Sequence, residues 1–300
     1  MLPTTALTAA TSHLLPRCTF PVAGTSVTCA VSGGADSLAL LVLAAAAGCA
    51  PTAVHVDHGL RPGSADEYAV VRDTADRLGV ASRSVRVEIT HGPNLEARAR
   101  AARFAVLPAD VLTGHTADDQ AETVMINLLR GAGLDGLAGM RASVRRPLLH
   151  LRRSETHALC AALHLPVVHD PSNDDPRFVR NRVRQQVLPA LNATAERDLV
   201  PVLARQAELL RDEAELLDLL AGGLDPTDAR GLTAAPVALA RRAVRRWLTG
   251  ATGHPPDAAT VQRVLDVARN EALACDVGAG RRVTRSHQQL TLHPPATGVR

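Results

Sequence analysis

The chain has 300 residues and 46% hydrophobic content, enough for a sizeable core and, by length, about two domains. A net charge of +3 is too small to mark a nucleic-acid binder alone, and 2% aromatic content leaves only Phe20, Tyr68, Phe104, Phe178 and Trp247 to stack on bases. Residues Met1 to Ala10 lack the basic segment and apolar run of a signal peptide, and no stretch reaches the ~18 apolar residues of a membrane span, so a cytoplasmic protein without membrane contact is expected.

Every one of the 33 cationic side chains is Arg, the planar donor suited to phosphates and carboxylates. The charge is unevenly spread: +2 over residues 1–190, −4 over 191–222 and +5 over 223–300. Cys18, Cys29, Cys49, Cys160 and Cys275 contain no CxxC pair and no metal-ligand spacing, which reads as reduced thiols.

The β-branched run Ser26–Val31 predicts a strand, followed by a Gly-rich turn and an Ala/Leu helix from about Ser37 to Ala47 closed by Gly48. Strands are expected again at Thr52–Asp57 and Ser84–Ile89, with a helix over Ala65–Leu78 between them. A helix over Leu95–Val106, a short strand Val111–Gly114 and a helix Ala117–Leu129 continue the rhythm. Strands alternating with helices predict a parallel sheet covered on both faces, with ligands at the strand C-terminal ends. Further helices are expected over Ser154–Leu163 and Val179–Leu188. A long connector follows, with Leu199, Leu203, Leu210, Leu217 and Leu220 on one face, Asp198 as N-cap and Gly222-Gly223 as its stop. Beyond Leu224, helices near Val237–Leu248 and Ala258–Ala268 suggest a small α-rich or α+β module.

Three segments carry chemistry. Ser32-Gly33-Gly34-Ala35-Asp36-Ser37 lies between a strand and a helix, so its backbone N–H groups and the helix N-terminus form an anion site. Adjacent glycines permit close approach of a pyrophosphate, and no Gly-Lys-Ser/Thr follows, which excludes the Walker pattern. The second strand delivers His55-Val56-Asp57-His58-Gly59-Leu60-Arg61 to the same sheet edge, as turn residues or as nucleotide contacts. Gly114-His115-Thr116-Ala117-Asp118-Asp119-Gln120-Ala121-Glu122-Thr123 opens a helix with Asp119 and Glu122 on nearby faces. A capping box explains part of this pattern but does not need His115, Asp118, Asp119 and Glu122 together.

The first segment resembles the SGGxDS loop of the PP-loop ATP pyrophosphatases, a superfamily with an adenine nucleotide alpha hydrolase-like, Rossmann-like domain. The second resembles the VDHGLR motif of the tRNA(Ile)-lysidine synthetases, and the third resembles the GHxxDDQAET segment that they share with their thiolating relatives. Leu95 to Phe104 resembles that family's ARxxRY pattern, with Arg100 and Arg103 as its arginines and Phe104 in place of Tyr. Arg146-Pro147-Leu148-Leu149, and Asp170-Pro171-Ser172-Asn173 followed by Arg177, Arg180, Asn181, Arg182 and Arg184, are similar to its RPLL and DxSN…RNxxR segments. The matches cover much of residues 29–190.

The resemblance implies a catalytic domain over 1–190, a helical connector over 191–222 and a small domain over 223–300 that contacts tRNA. It implies ATP-dependent joining of free lysine to C2 of cytidine 34 in a tRNA(Ile) with a CAU anticodon, through an adenylated intermediate. Ser32, Gly33, Gly34, Ala35, Asp36, Ser37, Asp57 and His58 would hold ATP, with Mg2+ on Asp36 and Asp119. Asp36, Arg100, Arg103, His115, Asp119 and Glu122 would be the catalytic set. The rival readings are a PP-loop tRNA thiolase, which commonly uses paired cysteines, and a non-catalytic nucleotide-binding protein. The sequence leaves monomer and homodimer open.

Overall fold

A computed structural model describes residues 1–57, 59, 67–87 and 95–295, except for the side chains of 95–97, 99, 100, 172 and 173. The chain divides into two compact units, Met1–Glu208 and Leu209–Arg300.

In the first unit, helix α1 (Thr4–Thr11) precedes strand β1 (Ser26–Ala30), α2 (Ala35–Ala46), β2 (Ala50–Asp57), α3 (Glu67–Leu78), β3 (Ala81–Arg86) and α4 (Leu95–Ala105). Then come α5 (Ala117–Leu129), α6 (Leu134–Leu137), α7 (Arg153–Ala162), α8 (Val179–Arg182), a π-helical turn Val183–Val187, and α9 (Leu188–Ala195). The strands form a parallel sheet in the order β1-β2-β3, with Ala30 opposite Val54 and Asp57 opposite Arg86. Side chains alternate across it with the period of two that a strand imposes. Val27, Cys29 and Ala53 enter the main core with α2, while Ala30, Val54, Val56 and Val85 join Phe104, Leu107 and Val111 on the other face. Leu38 through Ala44 are fully buried, which explains why α2 reads as apolar all round. A third cluster packs Ala117, Ala121, Met125 and Ile126 of α5 against Val183, Leu188 and Val200.

The predicted strand Val111–Gly114 is reduced to Leu112, which bridges to Cys29 in parallel. Leu112 exchanges both backbone bonds with β1, its N–H donating to Thr28 O and its carbonyl accepting the Ala30 N–H, while the Thr113 N–H on the opposite edge donates to Arg145 O at 2.9 Å. Helix α1 was not expected from the sequence. Leu7 and Ala10 pack on the core, and the Leu2 N–H donates to Arg77 O at 2.6 Å. The predicted starts at Ala65 and ends at Ile89 lie outside the described residues.

Helix α10 (Val200–Ala221) runs across the boundary between the units. The cap position is Leu199, whose carbonyl accepts the Leu203 N–H at 2.8 Å, and Asp198, expected as the N-cap, lies one residue earlier with its Oδ1 accepting the Val200 N–H at 3.0 Å. The second unit continues with α11 (Ala229–Ala234), α12 (Val237–Thr252), α13 (Ala258–Ala268) and strands β4 (Ala274–Gly278), β5 (Arg281–Ser286) and β6 (Gln289–His293). The strands form an antiparallel meander, so the module is α+β. Its own core gathers Val244, Leu248, Val264, Leu265, Val277, Val283 and Leu290.

Candidate active site

The loop after β1 is held by its own serines. The Ser32 N–H donates to Ser37 Oγ at 3.1 Å, Ser37 Oγ donates to Gly34 O at 2.8 Å, and the two hydroxyls lie 3.3 Å apart. Gly33 has φ +89°, a region L side chains rarely adopt, and a Cβ there would lie 2.8 Å from Val168 Cγ2. Gly34 is the N-cap of α2 and Ala35, its first residue, is buried, and the backbone N–H groups of a helix N-terminus suit an anion. Gly114 joins this loop to the third motif: a Cβ on it would sit 2.5 Å from Asp36 O, so only glycine lets the two backbones meet.

Three carboxylates from two helices converge on one guanidinium. Arg153, at the start of α7, places Nε 3.4 Å from Asp36 Oδ2, Nη2 3.0 Å from Asp119 Oδ1 and Nη1 3.0 Å from Glu122 Oε1. Glu122 is fully buried and also receives Arg184 through Nε at 2.7 Å and Nη2 at 3.1 Å. Arg180 Nη1 stands 3.6 Å from Asp119 Oδ1. Asp119 divides its two oxygens: Oδ2 accepts the Thr116 N–H at 2.9 Å and its hydroxyl at 3.1 Å, which caps α5, while Oδ1 faces the arginines. The cap and the charged site therefore coexist in one side chain.

Asp118 lies beside this cluster and accepts the Arg153 N–H at 2.8 Å and Arg152 Nε at 3.1 Å, while Arg152 also pairs with Asp198. The guanidiniums of Arg152, Arg153, Arg180 and Arg184 thus meet Asp36, Asp118, Asp119 and Glu122, with Asp198 as a fifth carboxylate on Arg152. Burial works to raise the pKa of Asp119, but Arg153 foremost, then His115 and the Thr116 N–H, outweigh it and hold the group below the usual range. Asp36 moves the other way. Burial raises it, helped by the nearby Asp119 charge and opposed by the Thr156 hydroxyl and Arg153. The cluster holds Arg153 firmly protonated despite its burial.

The remaining expected residues are more dispersed. Asp57 is buried at the end of β2 and its Oδ1 accepts the Gly59 N–H at 2.8 Å, a turn contact. His58 and Arg61, and the side chain of Arg100, lie outside the described residues. Arg103 is on α4 with its guanidinium over the Phe104 ring, 5.3 Å from the centroid. His115 Nδ1 is 2.8 Å from Thr113 Oγ1, just before α5. Of the arginines after Asp170, Arg180 and Arg184 enter the cluster. The exposed Arg177 pairs with Asp175, and Arg182 donates to Pro176 O and Arg177 O, so these two fix local chain.

Sequence reasoning missed Arg152, Arg153 and Thr156. The signal was present: two cations at a helix N-terminus oppose the macrodipole, an arrangement that calls for local anions.

Asp36 and Asp119 are hard oxygen donors beside the phosphate loop. Mg2+ bound through one or two carboxylates completes its shell with phosphate oxygens and water, so this donor set fits it. Among the described residues no group of three or more His, Cys, Asp and Glu is placed to hold a metal by itself.

The fold and loop place the chain among PP-loop enzymes: the family model described as "PP-loop domain" matches residues 7–191, and a second, "TilS substrate binding domain", matches 228–291. The tRNA(Ile)-lysidine synthase of Mycolicibacterium paratuberculosis is 46% identical over 241 residues, 75% of each chain. That of Nocardia farcinica is 42% identical over 252 residues, 79% of each, and that of Leifsonia xyli 39% over 307 residues, 90% of each. The U34-tRNA thiolase NcsA from Methanococcus maripaludis shares the fold, with TM-score 0.54 and 19% identity over 69% of this chain and 80% of that one. The chain belongs to the tRNA(Ile)-lysidine synthase family.

Proposed function

We infer that the protein is the ATP-dependent ligase that converts cytidine 34 of a CAU-anticodon tRNA(Ile) to lysidine, with release of AMP and pyrophosphate. The observation that carries the mechanism is Arg153, which joins Asp36 of the phosphate loop to Asp119 and Glu122 of the third motif in one charged network. A site of this kind brings oxyanion and ammonium chemistry together.

Cytosine O2 is a poor leaving group, so it first attacks the α-phosphate and expels pyrophosphate. The lysine ε-amine then forms the C2–N bond as the C2–O bond breaks and the oxygen leaves with AMP. The loop N–H groups of residues 33–35, with Ser32 and Ser37, cradle the phosphates. Asp36 and Asp119 would hold Mg2+, which neutralises phosphate charge when bound. Arg180 and Arg184 orient oxyanions, and Glu122 receives the lysine ammonium. Of the two expected bases, Asp119 and His115, the Asp119 carboxylate is the weaker because Arg153 depresses its pKa, so His115 takes the ammonium proton before attack, since only the neutral amine is a nucleophile. Arg100 and Arg103 belong to the same expected set and would meet the α-phosphate.

A thiolase would need reactive sulfur. The nucleophilic form is the thiolate, and burial pushes the thiols of Cys18, Cys29 and Cys160 up to about 12, which keeps them protonated. No helix among the described residues is long and apolar enough to cross a membrane, and a cytoplasmic setting, where free lysine and tRNA coexist, suits the reaction.

The direct test is incubation with unmodified tRNA(Ile) of CAU anticodon, ATP, Mg2+ and labelled lysine. tRNA-dependent label released as lysidine on digestion is expected. Its absence from folded protein overturns the reading.

A further inference from the structure

The second unit contains a cavity of about 300 Å³ that the lysidine chemistry does not use. Arg230 of α11, Arg269 just after α13, and Arg285 and Gln288 at the β5–β6 turn line it, with Thr233. No carboxylate and no aromatic ring is among its lining residues. Arg285 Nη2 donates to Gln288 Oε1 at 2.7 Å, which fixes the guanidinium, while its buried Nη1 has no hydrogen-bond partner. A desolvated guanidinium N–H without an acceptor is unfavourable, and an oxyanion relieves it through a charge-assisted bond. Arg269 has one ion pair, to Asp266 at 3.5 Å, and Arg230 and Arg269 are both exposed, so cationic groups border the cavity on the solvent side.

We propose that this cavity binds a backbone phosphate of the tRNA substrate. The proposal rests on the lysidine reading and narrows the tRNA contact expected of residues 223–300 to the named residues of this cavity. The donor chemistry selects the ligand. Guanidiniums and an amide suit a phosphodiester, whereas a free nucleotide needs a stacking surface and a group for its ribose hydroxyls, which these residues do not supply. The +5 charge of residues 223–300 acts in the same direction.

The test uses the full-length protein and compares wild type, the double variant Arg230→Ala/Arg269→Ala, and Arg245→Ala, which removes an exposed arginine of α12 outside the cavity. Affinity for tRNA(Ile) is measured across a salt series, and ATP affinity alongside it. The double variant should bind tRNA roughly tenfold more weakly, with a log–log salt slope shallower by about 1 to 2, because each lost phosphate contact removes about 0.9 from it. ATP affinity should not change, and Arg245→Ala should have a small effect. Unchanged affinity and slope in the double variant overturn the proposal, as does an equal loss in Arg245→Ala, which would indicate a diffuse basic surface. An NMR titration with inorganic phosphate tests the other source of the anion. Perturbed amides around Arg285 together with unaltered tRNA binding by the double variant would overturn the tRNA assignment in favour of a free phosphate site. If wild type incorporates lysine while the double variant binds tRNA normally, only the cavity assignment falls.

Discussion

At the scale of single residues, the network around Glu122 concentrates the largest effects. Removal of one member of a buried ion pair typically costs ~3–5 kcal/mol, because the partner charge stays buried. Arg153→Ala should cost somewhat less, about 2–3 kcal/mol, since Arg184 still holds both Glu122 oxygens. Denaturant unfolding would measure it, and ATP–pyrophosphate exchange should fall in the same variant. Gly114→Ala acts differently. Its Cβ would collide with Asp36 O and force the third motif away from the phosphate loop. A displacement on the order of 1 Å near the chemistry costs about 100-fold in rate, so kcat for lysine transfer should drop by about that factor. A rate within threefold of wild type would show that the close approach is dispensable.

At the scale of elements, the start of α7 depends on Asp118, which accepts its first N–H and the Arg152 side chain. Burial alone would raise the Asp118 pKa, but the Arg152 and Arg153 N–H bonds outweigh it and depress it in the folded state. A depressed carboxylate adds stability that is present above its unfolded pKa of about 3.9 and is lost as pH falls through the lower folded value. Asp118→Asn should therefore lower stability at neutral pH and flatten the acid limb of the stability–pH curve. Chemical denaturation between neutral pH and the acid limb would show both effects. Much of this element layer was legible in the sequence. The strands at 26–30 and 50–57 and helix α5 follow local periodicity and the Gly stops, and the first two motifs fall at strand ends as a parallel sheet requires, while the third follows the single bridge at Leu112. The pairing of the carboxylates was not legible. Arg153 is 31 residues from Glu122 and 117 from Asp36, and nothing local to α7 names its partners. The arginines after Asp170 were visible as a group, but their division depends on the π-helical turn, which brings Arg184 toward α5 while Arg177 pairs with the Asp175 carboxylate and Arg182 fastens nearby carbonyls. A turn that breaks the α-helical register inside a helix leaves little mark on the amphipathic pattern.

At the scale of the whole molecule, the two units carry separate cores, one built on α2 and the parallel sheet and the other on α12, α13 and the meander. Leu248 is fully buried in the second. Leu248→Ala should cost about 2–5 kcal/mol of that unit's stability while ATP affinity, a property of the first unit, stays at the wild-type value. Calorimetry with an ATP titration on the same variant would check both. A loss of ATP binding at temperatures where the variant remains folded would show that the units are energetically coupled.

On the proposed reading, the interleaving of carboxylates and guanidiniums around Arg153 would let the pocket act as an ion exchanger. A cation that takes a place on Glu122 or Asp119 frees a guanidinium, and a freed guanidinium is a ready counter-ion for an arriving phosphate or carboxylate. Lysine held on Glu122, as proposed, would thus prepare the counter-charge for ATP, and by linkage the benefit would be reciprocal. Calorimetric titration should find lysine binding tighter in the presence of a non-hydrolysable ATP analogue, and the analogue tighter by the same factor in the presence of lysine.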